Sequence, residues 1–360
     1  MPGEGARPAS PSEQTRKKKV KWFTTFGAVE IEEQVLRLSR PGRLLRPFCQ
    51  QARVKSHGYS RRLQRVLVDF GAESSFARSV QRIQEHYRIT VPAASVRTHT
   101  LAHGRAMASV PEGKNAPTAP QLITQMDGSL IPAMQPGPGP DGRKGKKLFW
   151  REVKLCCARQ PGHAHALYAA TLGSAETAGW LWRELAQAAG LKPKTLVHGL
   201  GDGAPWIVEK FTDNFGWQGA YLLDFYHVSQ YLAAAAPQGP AAKQKQWLHR
   251  QQGRLLNNQA AKVLRNLAPR LEPEQSLAAP VRAAHDYIAS RRDHLDYLKA
   301  RQQQWPIGSG EIESAHGHIV QDRLKLSGCW WKETNAQTML NLRVARANHL
   351  WESYWQNTKN

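Results

Sequence analysis

Acidic residues are scarce in this chain beside basic ones, and cysteines are scarcer still. Its 360 residues hold 28 Asp and Glu against 50 Lys and Arg, a formal charge of +22. Such an excess of one sign predicts a polyanionic partner, nucleic acid ahead of an acidic membrane surface. Four cysteines occur (Cys49, Cys156, Cys157, Cys329), none in a Cys-x-x-Cys pair. That excludes a zinc ribbon or a disulfide frame and reads as buried thiols in a reducing compartment. Apolar runs are short: Tyr231-Leu232 followed by four alanines is about the longest, far from the roughly 20 residues that cross a bilayer. The N-terminus lacks the apolar core of a secretory signal, so a cytoplasmic protein with no membrane partner is expected. No Gly-Lys-Ser/Thr phosphate loop, Ser-His-Asp arrangement or internal repeat occurs. What is present excludes wholesale disorder, since 41% of residues are hydrophobic and 12 are tryptophan. The length predicts two or three domains.

Residues 1–27 read as a basic disordered tail containing Arg16-Lys17-Lys18-Lys19. Residues 28–110 read as a helical DNA-binding region; residues 1–115 alone carry 21 basic and 9 acidic residues, +12 of the total. Ser75 can cap a helix with Phe76, Ala77, Val80 and Ile83 on one face. Pro92 fits the first turn of a second, basic helix carrying Val96, Arg97, His99, His103 and Arg105. Helix, tight turn and basic helix is the order of a helix-turn-helix, which makes Arg97 and Arg105 candidate DNA contacts. His99 and His103 have metal-ligand spacing without a third ligand, and read as surface or phosphate contacts.

Residues 111–120 look like a linker, after which the periodicity changes. Three strands are expected at Gln121–Pro132, Arg151–Arg159 and Ala164–Leu172. A helix from Ser174 to Ala189 follows, with Trp180, Leu181 and Leu185 on its inner face. Strand Thr195–Leu200, helix Pro205–Asn214 and strand Ala220–Leu223 complete an α/β pattern around a mixed sheet over 121–227. Residues 228–304 read as an all-helical insertion, with long helices at Gln246–Leu267 and Leu277–Lys299. The α/β pattern resumes over 305–350 with a final helix at about 310–325 and a C-terminal helix.

Three carboxylates stand out by position. Asp127 lies within the first of these strands, Asp202 just past the fourth in Gly201-Asp202-Gly203, and Glu313 in the first turns of the final helix. Singly, each has a plain structural role as a turn, cap or helix-dipole residue. Together, carboxylates converging at a sheet's end can hold two magnesium ions about 4 Å apart for in-line phosphoryl transfer. At 100° per residue, Glu313 falls beside the apolar face of Ile312 and Ile319, whereas Glu311 projects toward water with His318 and Asp322. That geometry favours Glu313.

Asp127-Gly128, the run Gly201–Ile207, Asp224-Phe225-Tyr226-His227, the run Gly308–His316 and Arg323-Leu324-Lys325-Leu326-Ser327-Gly328 with Trp331 resemble a bacterial DDE transposase. The resemblance is to insertion-sequence transposases of the Kra type and covers roughly residues 120–350. It implies a ribonuclease H-like core with an inserted helical domain, and Asp127, Asp202 and Glu313 as catalytic, metal-binding triad. It implies Mg²⁺, with Mn²⁺ as substitute, and cleavage and strand transfer at terminal inverted repeats. Double-stranded DNA is then the partner, both as transposon ends and as target, with a homo-oligomer on DNA and a bacterial, nucleoid-associated location. Asp224 and His227 recur beside the active site in related transposases; here a strand-end hydrogen bond that fixes the fold competes with direct catalysis. Arg323 and Lys325 are candidates to hold a DNA phosphate, and Trp331 to stack on unpaired bases, with core packing the alternative. Two other functions share these features: a ribonuclease H-like DNA nuclease that cuts without joining, and a DNA-binding regulator with an inactive core.

Overall fold

The computed structural model describes residues 14–37, 44–54, 57–110, 117–139, 142, 144–276 and 278–357. The chain divides into two units, residues 1–103 with 352–360, and residues 104–351.

In the first unit the basic run is a strand. β1 (Gln14–Thr24) and β2 (Gly27–Arg37) form an antiparallel hairpin, and β3 (Leu44–Leu45) adds to the far side of β2. The register sets Lys19 opposite Glu32 and Lys21 opposite Glu30, whose side chains meet at 3.4 Å. Opposite charges facing across a hairpin stabilise a pairing that like charges on one strand would discourage. From Gln14 to Thr24 the expected disordered tail is instead this strand, and residues 1–13 lie outside the described residues. The expected helical region begins only at α1 (Pro47–Gln51). Buried Glu33 anchors that helix, accepting the Cys49 backbone N–H and the Arg46 Nε, each at 2.8 Å. α2 (Arg61–Glu73) and α3 (Phe76–Tyr87) start at the caps Ser60 and Ser75, whose side chains accept the Leu63 and Arg78 N–H groups. Arg88, at φ +57°, ends α3, and α4 (Ala93–Ala106) follows Pro92. Leu63, Leu67, Ile83, Ile89, Val91 and Val96 form their core.

The second unit is built on a five-stranded mixed sheet. Its elements run β4 (Gln121–Gln135), β5 (Lys147–Arg159), β6 (Leu167–Thr171), α5 (Ala175–Ala188), β7 (Leu196–Gly201), α6 (Pro205–Phe215) and β8 (Gly219–Leu223). Strand order is β6-β5-β4-β7-β8, with β4, β5 and β6 antiparallel and β4, β7 and β8 parallel. Parallel neighbours need crossover connections, which is why helices separate these later strands. α5 presents Ala178, Trp182, Leu185 and Ala186 to the sheet, the i, i+4, i+7, i+8 stripe of an amphipathic helix. Trp180, expected on that face, is 60% exposed, and fully buried Trp182 takes its place. The expected linker 111–120 lies outside the described residues at 111–116, but its end is pinned. Ala119 is buried, donating its N–H to the Gly190 carbonyl and accepting from the Thr195 hydroxyl.

After β8 come α7 (Phe225–Ala234), α8 (Ala241–Leu256), α9 (Ala260–Leu267), α10 (Pro280–Ala289) and α11 (Tyr297–Gln302). They share one core with Leu222 and Leu223 of β8. The expected long helices are each broken, the first where Asn258 adopts φ +55°, a conformation Asn tolerates better than most residues. The second is broken by a 3₁₀ turn at Arg292–His294. The final helix is also interrupted. α12 (Gly310–Ala315) leads into a π-helical segment, His316–Gln321, before α13 (Asp322–Leu324). α14 (Glu333–Ala347) and α15 (Trp351–Asn357) end the chain's described part. No helix among the described residues is long and apolar enough to cross a membrane.

Candidate active site

The parallel ladders bring three aspartates to their carboxyl-terminal ends. β4 pairs with β7 up to Gln125 opposite Leu200, and β7 with β8 up to Gly201 opposite Leu223. These ladders end two residues before Asp127 and one before Asp202 and Asp224, so all three aspartates follow directly on the paired strand ends. Asp202 ends its strand because Gly203 turns with φ +74°. A Cβ there would come within 2.4 Å of Leu223 Cδ1, so the turn packs flat on β8. Its geometry is held from the helical side, where the Tyr287 hydroxyl donates to the Asp202 carbonyl and Arg291 Nε to the Gly203 carbonyl at 2.8 Å. Asp202 Oδ1 accepts the Ala204 N–H at 2.9 Å.

Two contacts seat α12, the helix of Glu313, over these strand ends. Gln125 Oε1 accepts the Ile312 N–H at 3.0 Å. Asp224, 1% exposed, accepts from the backbone N–H and hydroxyl of Ser309 with one oxygen, and from the His227 N–H at 2.8 Å with the other. Both oxygens of Asp224 are thus engaged in holding chain segments together. The His227 ring packs against Tyr231 and Tyr287 at centroid distances of 5.6 and 5.7 Å.

The electrostatics mark Asp127. Its pKa is pushed from the usual 3.8 up to about 6, first by burial and then by the negative charges of Asp202 and Glu313, against the opposing Gly128 N–H bond and His227. Three carboxylates therefore share one electrostatic neighbourhood. His316, 3% exposed, brings Nε2 to 3.4 Å from Asp127 Oδ2. Burial lowers its pKa to about 4, only partly offset by its contact with the Asp127 backbone, so the ring is neutral at pH 7.

Among the described residues no three His, Cys, Asp or Glu side chains stand at metal-ligating spacing. The chemistry of the donor set nevertheless fits a hard divalent cation. Carboxylate oxygens are its preferred ligands, and the repulsion felt at Asp127 is what such a charge relieves.

Other sequence expectations fare unevenly. Glu311 does not project to water: it is half-buried and pairs with Arg159 Nε at 2.7 Å. Glu313 is the exposed one of the two. The 100° wheel failed because the π-helical segment from His316 resets the angular relation between α12 and the residues after it. Arg323 is 1% exposed with its guanidinium 4.9 Å from the Trp331 ring centroid, and Trp331 is 7% exposed with Nε1 donating to the Leu324 carbonyl. Both are core residues, out of reach of DNA. Lys325, Arg97 and Arg105 are exposed. His103 is no surface contact, since it is buried between Tyr354 and Gln64. Gln125, Tyr287 and Arg291 were not legible in the sequence, and His316 entered only as the end of the run Gly308–His316 with no role of its own. Of these only His316 carried a signal, lying three residues after Glu313 and so on the same side of a helix.

A family model described as "Uncharacterised protein family (UPF0236)" matches residues 176–357. A UPF0236 protein in the vanSb 3′ region of Streptococcus gallolyticus is 26% identical over 170 residues, 47% of this chain and 37% of the relative. A UPF0236 protein of Caldanaerobacter subterraneus subsp. tengcongensis is 26% identical over 164 residues, 44% of this chain and 33% of the relative. The matches thus span about a third of the length of these relatives. Among solved structures, a chain titled "Drosophila P element transposase strand transfer complex" aligns at 9% identity and a TM-score of 0.30, covering 86% of this chain and 83% of that one. A likeness of that size carries no weight for function.

Proposed function

The chain belongs to the UPF0236 family, and we propose that it is a DDE-type DNA transposase resembling the Kra-type insertion-sequence enzymes. The observation that carries this reading is the raised pKa of Asp127, to which the charges of Asp202 and Glu313 contribute. Burial is the largest cause of that shift, and the added charges of Asp202 and Glu313 are what acids gathered for metal-assisted phosphoryl transfer would contribute. The mixed sheet, with three strands followed by helix–strand–helix–strand, supports a ribonuclease H-like core. Helices α7–α11 between β8 and α12 supply its helical insertion.

On this reading Asp127, Asp202 and Glu313 hold Mg²⁺, or Mn²⁺ in its place. When bound, the cation supplies the Lewis acidity that activates the attacking oxygen and stabilises the leaving one. The protein's own part is positioning. Tyr287 and Arg291 fix the Asp202 turn, while Asp224 and Gln125 fix the start of α12. Recognition of terminal repeats falls to α3 and α4, which supply a helix-turn-helix with exposed Arg97 and Arg105. Lys325 is a phosphate contact in the second unit. Two ends must be joined, so a homo-oligomer on DNA is part of the proposal.

The test uses purified protein, labelled DNA bearing the ends of its own element, and Mg²⁺ or Mn²⁺, beside an Asp202→Asn control. Metal-dependent cut and joined products that disappear in the control are expected. Binding without either product under both metals would overturn the enzymatic reading, and cutting without joining would replace it with a nuclease.

A further inference from the structure

The first unit contains a pocket of about 440 Å³ lined by Trp22, Ser60, Arg61, Arg62, Arg65 and Trp355. Three guanidiniums and two indoles share its wall, and none of its lining residues is acidic. Arg65 is already engaged, with Nη1 3.1 Å from Glu352 Oε2, which ties α2 to the chain's C-terminal helix. The Ser60 hydroxyl is spent on capping α2. Trp355 is 3% exposed and forms the floor, packed on the His103 ring at 4.6 Å. Trp22 is half-buried on β1.

Each part narrows the occupant. The half-buried Trp22 ring favours a flat heterocycle, since base–indole stacking is indifferent to base identity. Guanidinium forks favour phosphate oxygens. The volume suits one nucleotide and not a duplex, whose paired and stacked bases present no free face. The strand leading to Trp22 is basic. Arg16, Lys17, Lys18 and Lys19 are exposed, and Lys18 shares a face of β1 with Trp22 about 13 Å away. Phosphates flanking an inserted base would run along that strand.

We propose that this pocket takes one unpaired nucleobase of a DNA strand against Trp22, above the Trp355 floor, with its neighbouring phosphates held by Arg61 and Arg62. The proposal rests on the reading of the chain as a DNA-acting protein. It adds a site for single-stranded DNA, such as a frayed or distorted end, apart from the acids of the second unit.

The probe is a fluorescein-labelled oligothymidylate of about 12 nucleotides, with an abasic oligonucleotide of the same length beside it, titrated with the full chain and followed by anisotropy. Trp22→Ala is expected to weaken oligothymidylate binding roughly 5- to 100-fold, the loss of one stacked base, whereas Trp22→Phe keeps most of it. Replacing Arg61 and Arg62 together by Ala should lower the salt slope by about 1.4, the equivalent of two single-strand phosphates. The wild-type chain should bind the abasic strand as weakly as Trp22→Ala binds oligothymidylate. That comparison holds even where a variant folds poorly. Equal binding of the abasic and thymidylate strands by the wild type, or wild-type affinity in a folded Trp22→Ala chain, would overturn the proposal. Absence of metal-dependent cleavage with this binding intact would remove the transposase reading and leave the pocket; the reverse result would remove the pocket alone.

Discussion

Ser309 gives both its backbone N–H and its hydroxyl to a single carboxylate oxygen of Asp224. The other oxygen of Asp224 caps α7 through the His227 N–H. One buried carboxylate thus joins the end of β8, the start of α7 and the start of α12, and sets the height of Glu313 above the sheet. Asp224→Ala strands three donors, so it should cost about 2–4 kcal/mol in urea unfolding and reduce cleavage along with stability. Asp224→Asn retains an acceptor and should fall between. A loss under about 0.5 kcal/mol in the alanine variant would show that this junction is not what holds α12.

Asp127 gives a pH signature. Its folded pKa of about 6 lies above the usual 3.8, so the folded state holds the proton more tightly than the unfolded one. The associated stability is present below pH 4 and is lost as pH rises through about 6. Asp127→Asn removes the ionised form. The metal-free variant should be more stable than wild type at pH 7.5 by about 1–2 kcal/mol, a two-unit shift discounted for the third of the side chain that water reaches. At pH 4 that gain should vanish. Millimolar Mg²⁺ should raise the melting temperature of wild type and not of Asp127→Asn, because binding to the folded state alone stabilises it. A variant less stable than wild type at pH 7.5 would contradict the repulsion.

What the sequence revealed and what it hid divides along the range of the interactions. Ser75 and Ser174 announced their helices because capping is decided within three residues. Asp127 and Asp202 were legible as a strand residue and a Gly-flanked turn. Their approach at the strand ends was not, since β4 and β7 pair across about 75 residues and no local pattern encodes that register. The run Arg16–Lys19 looked like a solvated tail because the glutamates opposite Lys18 and Lys19, Glu33 and Glu32, lie on the next strand. Arg323 and Trp331 looked like DNA contacts by residue type alone, yet each is the other's packing partner. Trp180 and Trp182 differ by two positions, 200° on a helix, and only the sheet beneath decided which was buried.

His103 should make the first unit acid-sensitive. Burial holds its pKa down at about 4, against an ordinary 6.5, with the charge of nearby His99 adding to the effect. Nδ1 meets the Tyr354 hydroxyl at 2.8 Å and Nε2 meets Gln64 Oε1 at 3.0 Å, a pairing suited to a neutral ring. A depressed pKa contributes stability that is full above pH 6.5 and is lost as pH falls through about 4. Wild type should therefore lose up to about 3 kcal/mol across that window. His103→Gln should start lower by about 1 kcal/mol at pH 7.5 and decline less steeply. Parallel curves for the two proteins in urea unfolding would remove His103 from this role.

The strand that carries Asp202 is set by a close approach behind it. A Cβ on Gly199 would fall 2.2 Å from the Phe211 ring. That ring cannot retreat, because Trp182, Phe215 and Tyr221 surround it at centroid distances of 5.9, 5.4 and 5.4 Å. Gly199→Ala should therefore overpack the layer between β7 and α6 and cost about 2–3 kcal/mol. The added methyl should also push β7 outward and move Asp202 relative to Asp127, lowering cleavage more than DNA binding. Phe211→Leu opens space where the new methyl would sit, so the double variant should lose clearly less than the sum of the two single changes. A strictly additive cycle would mean that the Gly199 backbone and the Phe211 ring do not set each other's position, and that the level of Asp202 is fixed from the Tyr287 and Arg291 side alone.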